Sequence, residues 1–281
     1  VGRHYGGSAS FTFDITPALS DGENLIVVCT QDDLRSGIQP GGKQCKDLNS
    51  RGCHYTRTTG IWQTVWLESV PEINLHSLRI VPDLDGSRFI LTPSLSQDAR
   101  NTTIRAVLLD GANEAGGAEA PALNGGTFSL RLKDAKPWTL EDPHLYDIRL
   151  ELEADGQVID SIHTYAGLRK FHIEGNRFFF NNESFFVRFV LDQGFYSDGI
   201  WTAPSDEALK KDIQLSMDVG FNGARLHQKV FEERFHYWAD KLGYLTWGEF
   251  YDWGLDMSQP QANYNQQQEW SEIVMRDRNH P

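Results

Sequence analysis

Glu249 follows Trp247-Gly248 and is itself followed by Phe250, Tyr251 and Trp253. A carboxylate among so many rings suits a carbohydrate site. Aromatic faces stack on the C–H surfaces of sugars, and acidic or amide groups bond the hydroxyls. Trp201, Trp247, Tyr251 and Trp253 are candidate platforms, although aromatic residues taken singly are more often core than contact. Three further polar residues stand where apolar stretches end: Asp192, Arg225 and His227. Each has a structural alternative. Asp192 can cap a turn before Gly194, Arg225 can be an ion-pair partner, and His227 can be a satisfied histidine at a rim.

What could position these residues is a repeated pattern. Ser205 is a helix cap, with Asp206 and Glu207 in the first turn, where the helix dipole favours negative charge. Leu209, Ile213 and Met217 then recur on one face, and Gly220 supplies the stop. A strand-like segment, 221–226, comes next. The second helix carries Phe231, Phe235, Trp238 and Leu242 on one face and ends at Gly243. Residues 244–247 read as another strand and 266–278 as a third helix. Alternating strands and helices predict parallel β/α units, the start of an α/β barrel. In such a barrel, residues at the C-terminal ends of strands face the active site. That rule selects Asp192, Arg225, His227 and Glu249.

The first ~165 residues read instead as all-β, with short alternating segments separated by turn residues. Segments 10–15, 25–28 and 61–68 have strand composition, and a long Gly-rich polar loop, 31–59, lies between the last two. Loops of that length are usually functional or disordered. After Pro71, candidate strands near 75–81, 89–95, 104–109, 128–132, 146–152 and 158–165 predict an immunoglobulin-like sandwich, with 112–126 as a Gly/Ala-rich surface loop. Asn181-Asn182, between apolar runs, predicts a hairpin turn. The expected organisation is a partial jelly-roll over 1–70, the sandwich over 71–166 and the first part of a TIM barrel over 167–281.

Composition narrows the partners. Hydrophobic residues make up 40% and aromatic residues 12%, enough for sizeable cores, while a net charge of −13 disfavours nucleic acid and anionic membranes. No apolar run approaches the ~20 residues of a transmembrane helix. Cys45 and Cys53 share the long loop and could pair, but three cysteines without a disulfide framework point to reduced thiols and lean towards the cytoplasm. Their spacing matches no metal-binding pattern.

The longer motifs carry a resemblance. Residues 11–16 (Phe-Thr-Phe-Asp-Ile-Thr), 59–68 (Thr-Gly-Ile-Trp-Gln-Thr-Val-Trp-Leu-Glu), 138–146 (Trp-Thr-Leu-Glu-Asp-Pro-His-Leu-Tyr), 221–227 (Phe-Asn-Gly-Ala-Arg-Leu-His), 244–249 (Tyr-Leu-Thr-Trp-Gly-Glu) and 276–281 (Arg-Asp-Arg-Asn-His-Pro) resemble, in order, landmarks of glycoside hydrolase family 2, the β-galactosidase and β-glucuronidase group. The resemblance implies retaining hydrolysis of β-glycosides by two glutamates, whose carboxyl groups sit ~5–5.5 Å apart. Both are expected after Pro281, so no catalytic residue is assigned within the chain. It adds Asn279 and His280, and more weakly Tyr55 and Arg57 of the long loop, to the substrate-binding candidates. Glu249 matches a carboxylate that binds magnesium in some members. Tyr251 stands where a histidine helps hold that ion, so no cofactor is expected and magnesium is a weak candidate only. Gln228 stands where the family usually has histidine, and His227 falls one position early.

These readings predict a piece of a longer β-galactosidase-like enzyme, extending beyond both ends and inactive as the fragment. Pairing Glu249 with Asp252, Asp192 or Glu269 as a self-contained catalytic couple is disfavoured. The alternatives are a β-glucuronidase or other β-glycosidase, or a non-catalytic carbohydrate-binding protein. The family often forms dimers or tetramers, but nothing in the sequence locates an interface.

Overall fold

The computed structural model describes residues 1–98 and 101–281. Seven antiparallel strands come first: β1 (Leu75–Asp83), β2 (Arg88–Leu95), β3 (Thr102–Asp110), β4 (Asn113–Pro121), β5 (Phe128–Arg131), β6 (Leu145–Ala154) and β7 (Gln157–Gly167). They form two sheets, ordered β1-β2-β5 and β4-β3-β6-β7. Period-two alternation sends Phe89, Leu91 and Leu95 of β2 inward, together with Tyr146, Ile148, Leu150 and Leu152 of β6. These rows meet between the sheets as a two-layer β-sandwich. Burying each of these large side chains contributes about 1.5–3 kcal/mol.

The Gly/Ala-rich stretch 112–126, expected as a loop, instead contains β4, paired with β3 from Thr103↔Pro121 to Asp110↔Asn113. Gly116 also brings this strand close to β5. A Cβ on Gly116 would lie 2.2 Å from the Arg131 carbonyl oxygen, so only a residue without a side chain allows the approach.

Residues 1–70 depart further from expectation. Segments 10–15, 25–28 and 61–68 form no strands, and the only regular element there is a short 3₁₀ turn at Thr16–Ala18. Alternation alone does not make a strand. The ladder hydrogen bonds need a partner, and no segment among the described residues supplies one. Leu25, Val27 and Val65 to Leu67 are therefore left exposed. The loop 31–59 is nevertheless fixed. The amides of Gly41 and Gly42 donate to the Trp253 carbonyl at 2.7 and 3.1 Å, and the Asp256 amide donates to that of Gly37 at 2.7 Å.

A small antiparallel sheet, β8 (Phe171–Glu174), β9 (Arg177–Phe180) and β10 (Glu183–Phe185), links the sandwich to the β/α part. The Asn181-Asn182 turn forms as expected, both residues left-handed at φ 50° and 69°. The β/α part holds parallel strands β11 (Phe189–Asp192), β12 (Gly223–Leu226) and β13 (Leu245–Gly248), with helices α1 (Asp206–Asp218), α2 (Glu233–Leu242) and α3 (Pro260–Asp277). The Ser205 hydroxyl accepts the Ala208 amide at 3.3 Å, capping α1. Helix α3 starts well before the expected Gln266, because Pro260 at its first turn loses no hydrogen bond there. Ala224 and Leu226 pack on Leu209, Ile213 and Phe235 of the helices. Arg225 between them therefore faces the opposite side of the sheet.

Sandwich and β/α part are packed together through Trp138, which is fully buried and donates its indole N–H to the Asp240 carbonyl at 2.7 Å. Helix α2 ends at Gly243 (φ 76°), where a Cβ would stand 2.2 Å from the Leu140 carbonyl oxygen.

Candidate functional site

The parallel register levels the strand ends: Leu191, Arg225 and Trp247 are partners, as are Asp192, Leu226 and Gly248. Residues just past these ends therefore gather at one rim. Glu249 is the centre. One of its carboxylate oxygens accepts Arg225 Nε–H at 2.6 Å. The other lies 2.5 Å from His227 Nδ1 and accepts the Gln228 amide at 3.0 Å. The His227 amide donates to the Asp192 carbonyl at 2.6 Å, tying the first rim segment to the second.

The remaining candidates are spread more widely. Asp192 accepts the Gly194 amide at 2.9 Å, so its side chain caps the turn there, and burial raises its pKa. Trp247 is half exposed and edges Phe178 and Phe189. Tyr55 stacks on Phe195 at 4.2 Å between centroids, bringing the long loop against the segment after β11. Arg57 stays within its own loop, donating to the Lys46 carbonyl at 3.1 Å. Asn279 faces the sandwich: its Oδ1 accepts the Ile80 amide at 2.9 Å and its Nδ2 donates to the Leu78 carbonyl at 2.7 Å. The His280 ring binds the buried Asp240 at 2.5 Å, yet also borders a cleft of ≈ 320 Å³ that Glu249 lines as well. The structure thus gathers Arg225, His227 and Glu249 around one carboxylate, with His280 on the same cleft. Asn279 and Arg57 do not join them.

The contacts of Gln228 and Trp253, and the whole of Lys229, were not legible beforehand. Gln228 adopts φ 58°, a left-handed conformation uncommon outside glycine. Its amide donates to Asp252 at 2.7 Å and accepts the Trp253 amide at 3.0 Å. Trp253 in turn meets His227 edge-on at 5.7 Å. Lys229 is fully buried and donates to the Gly194 and Trp201 carbonyls, each at 2.6 Å, with Glu232 at 3.4 Å. Burial pushes its pKa down. The one available signal was Glu232, an acid three residues after that lysine.

Chemically, this is a rim of mutually paired donors and acceptors. The Glu249 carboxylate is already engaged by a guanidinium, an imidazole and a backbone N–H. That donor set does not fit a magnesium ion, which needs open carboxylate oxygens. Among the described residues, no group of three or more His, Cys, Asp or Glu is arranged for a metal. Asp252 is held by Gln228. Glu269 accepts the amides of Gly7 and Ser8 and the Tyr251 hydroxyl, at 2.9, 3.0 and 2.6 Å. The disfavoured partners of Glu249 are thus all engaged in structural bonds.

Residues 73–169 match the sequence pattern of Glycosyl hydrolases family 2. A putative β-glucuronidase of Formosa agariphila is 27% identical across the whole chain, which spans 34% of that protein. A β-galactosidase of Thermoanaerobacter pseudethanolicus is 24% identical across the whole chain, here 38% of that protein. In fold, the chain is similar to the β-glucuronidase of Ruminococcus gnavus solved with D-glucuronic acid. The TM-score is 0.65 at 19% identity, covering 75% of this chain and 36% of that one. The chain spans about a third of the length of these relatives.

Proposed function

Because this chain belongs to glycosyl hydrolases family 2, we propose that the whole protein is a retaining β-glycosidase for which these residues supply the near wall of the sugar pocket. The observation that carries the reading is Glu249, set at the strand ends with Arg225 and His227 bound to it. A half-exposed arginine beside an oriented carboxylate offers both donors and acceptors to sugar hydroxyls. The acid/base and nucleophilic glutamates are assigned outside these residues, since the carboxylates near the rim are committed to other bonds. Retention requires two carboxyl groups ~5–5.5 Å apart, one protonating the leaving oxygen and one attacking the anomeric carbon.

The finer architecture belongs to the same reading. Strand order β1-β2-β5 over β4-β3-β6-β7 supports an immunoglobulin-like type for 71–166. Parallel β11–β13 with alternating helices support a TIM-barrel beginning over 167–281. The exposed strand-like segments of 1–70 would complete a jelly-roll if paired with further strands.

For the sugar, β-galactoside and β-glucuronide stand side by side, since the relatives are named β-glucuronidases and β-galactosidases. Hydrolysis of chromogenic β-galactoside and β-glucuronide by the whole protein separates the two, and NMR of the first-formed product should show the β-anomer. The 281-residue chain alone should turn over neither substrate. Turnover by this chain, or an inverted product, would overturn the assignment. A whole protein that binds sugars but hydrolyses none is instead a carbohydrate-binding protein.

A further inference from the structure

Glu269 on α3 is only 2% exposed, and among the described residues no cation lies within ion-pair distance of it. Burying a carboxylate without a counter-charge is costly, so its hydrogen bonds must offset the lost water. One oxygen, Oε1, accepts all three: the Gly7 amide at 2.9 Å, the Ser8 amide at 3.0 Å and the Tyr251 hydroxyl at 2.6 Å.

These donors come from two places far apart in the chain, and both are firmly set. The Gly7 carbonyl accepts the Trp62 indole N–H at 2.6 Å, and the Ser8 carbonyl accepts Arg276 at 2.9 Å. Every backbone polar group of this dipeptide is therefore used. Arg276 also donates to the Phe231 carbonyl at 2.8 Å, which ties the dipeptide to the residues before α2. Tyr251 is 4% exposed, and its ring packs with Ala9, Val230 and Ile273.

Tyr251 stands midway between Glu249 and Trp253, in a segment after β13 that belongs to no helix or strand. No ladder of backbone bonds fixes its course, so its anchors decide where it lies. Glu249 is bonded by the Gln228 amide at one end, and the Trp253 carbonyl takes the Gly41 and Gly42 amides at the other. The Tyr251 hydroxyl is the anchor between them.

We propose that Glu269 is a positioning residue: through Tyr251 it holds segment 249–253 against residues 7–8, and so sets where the Glu249 carboxylate stands. The inference rests on the β-glycosidase reading and deepens it, since it gives the rim a support drawn from residues 1–70.

The test is steady-state hydrolysis, by the whole protein, of the aryl β-glycoside that it accepts, at a temperature where circular dichroism shows each variant folded. Tyr251→Phe keeps the ring and removes one hydroxyl. Its KM should rise roughly 3- to 10-fold, the scale of one hydrogen bond, with kcat little changed. In a Glu249→Gln background the same substitution should add little, because the group it positions has already lost its pairing. Glu269→Ala should raise KM at least as far. Glu269→Gln should recover most of that loss, since an amide oxygen accepts the same three bonds. Should Glu269→Ala fail to fold, Tyr251→Phe and its cycle with Glu249→Gln carry the test. An unchanged KM in Tyr251→Phe, or equal effects in the two backgrounds, overturns the positioning role and leaves the glycosidase reading standing. If the unsubstituted protein hydrolyses no aryl glycoside, both fall.

Discussion

Gln228 donates its side-chain N–H to Asp252 at 2.7 Å while its amide oxygen receives the Trp253 N–H at 3.0 Å. One residue after β12 thereby clips the segment after β13, and fixes the ring that both His227 and Lys43 approach. The clip works from a left-handed backbone, which also aims the Gln228 amide at Glu249.

Gln228→Ala should therefore cost more than an average surface change. It removes the hydrogen bonds to the Asp252 carboxylate and the Trp253 amide, each worth about 0.5–1.5 kcal/mol. Chemical denaturation monitored by tryptophan fluorescence reads this. A loss within the few tenths of an ordinary surface substitution would show that the clip is incidental.

Glu249→Gln should weaken substrate handling in the whole protein. The neutral amide cannot match the carboxylate's pairing with the Arg225 guanidinium, so kcat/KM should fall about 10- to 100-fold. A wall residue acting on ground-state binding should raise KM more than it lowers kcat. A kcat-only effect would instead place Glu249 in the chemical step.

Lys229→Met should destabilise the chain strongly. The substitution roughly conserves volume, but strands Glu232 and the Gly194 and Trp201 carbonyls, and breaking such a buried set costs about 3–5 kcal/mol. The melting temperature should drop accordingly. An unchanged value would mean that water takes over the lysine's bonds.

Stability should peak near pH 6.5, because two neighbouring histidines titrate in opposite directions. Their rings are 5.1 Å apart. Burial lowers His236 from 6.5 to about 4, so its contribution is lost as pH falls from 6.5 towards 4. For His280, burial pulls downward, but the bond to Asp240 and the charges of Asp240, Asp277 and Glu233 outweigh it, leaving its pKa above 6.5. That contribution is complete below 6.5 and is lost as pH rises through the raised value. Tyr165, which donates to Asp240 at 2.7 Å, and Arg169, which donates to the His280 carbonyl at 2.9 Å, complete the surroundings. Melting curves across pH should show both arms. His280→Gln should flatten the alkaline arm and His236→Gln the acid one; an unaltered profile in either variant would refute its assignment.

Much of the β/α part was legible because its signals are local. Ser205 caps α1, Gly243 stops α2 in the left-handed region and Asn181-Asn182 turns the hairpin, each by the chemistry of one or two residues. The misreadings fall where partners decide. Segment 25–28 has strand composition but no strand partner among the described residues, and 113–121 has loop composition but pairs with β3, with room only for glycine where Gly116 meets Arg131 of β5.

The site divides in the same way. Glu249, Arg225 and His227 were recognisable from sequence alone, since each ends an apolar stretch where a parallel strand would finish, and period and polarity are properties of the chain itself. Which of them meet, that Asn279 instead bonds the sandwich, and that Lys43 comes to lie over Trp253 were decided only by the tertiary structure. Strand register and loop docking bring together groups far apart in the chain, and no local pattern records a distance between segments that touch only after folding.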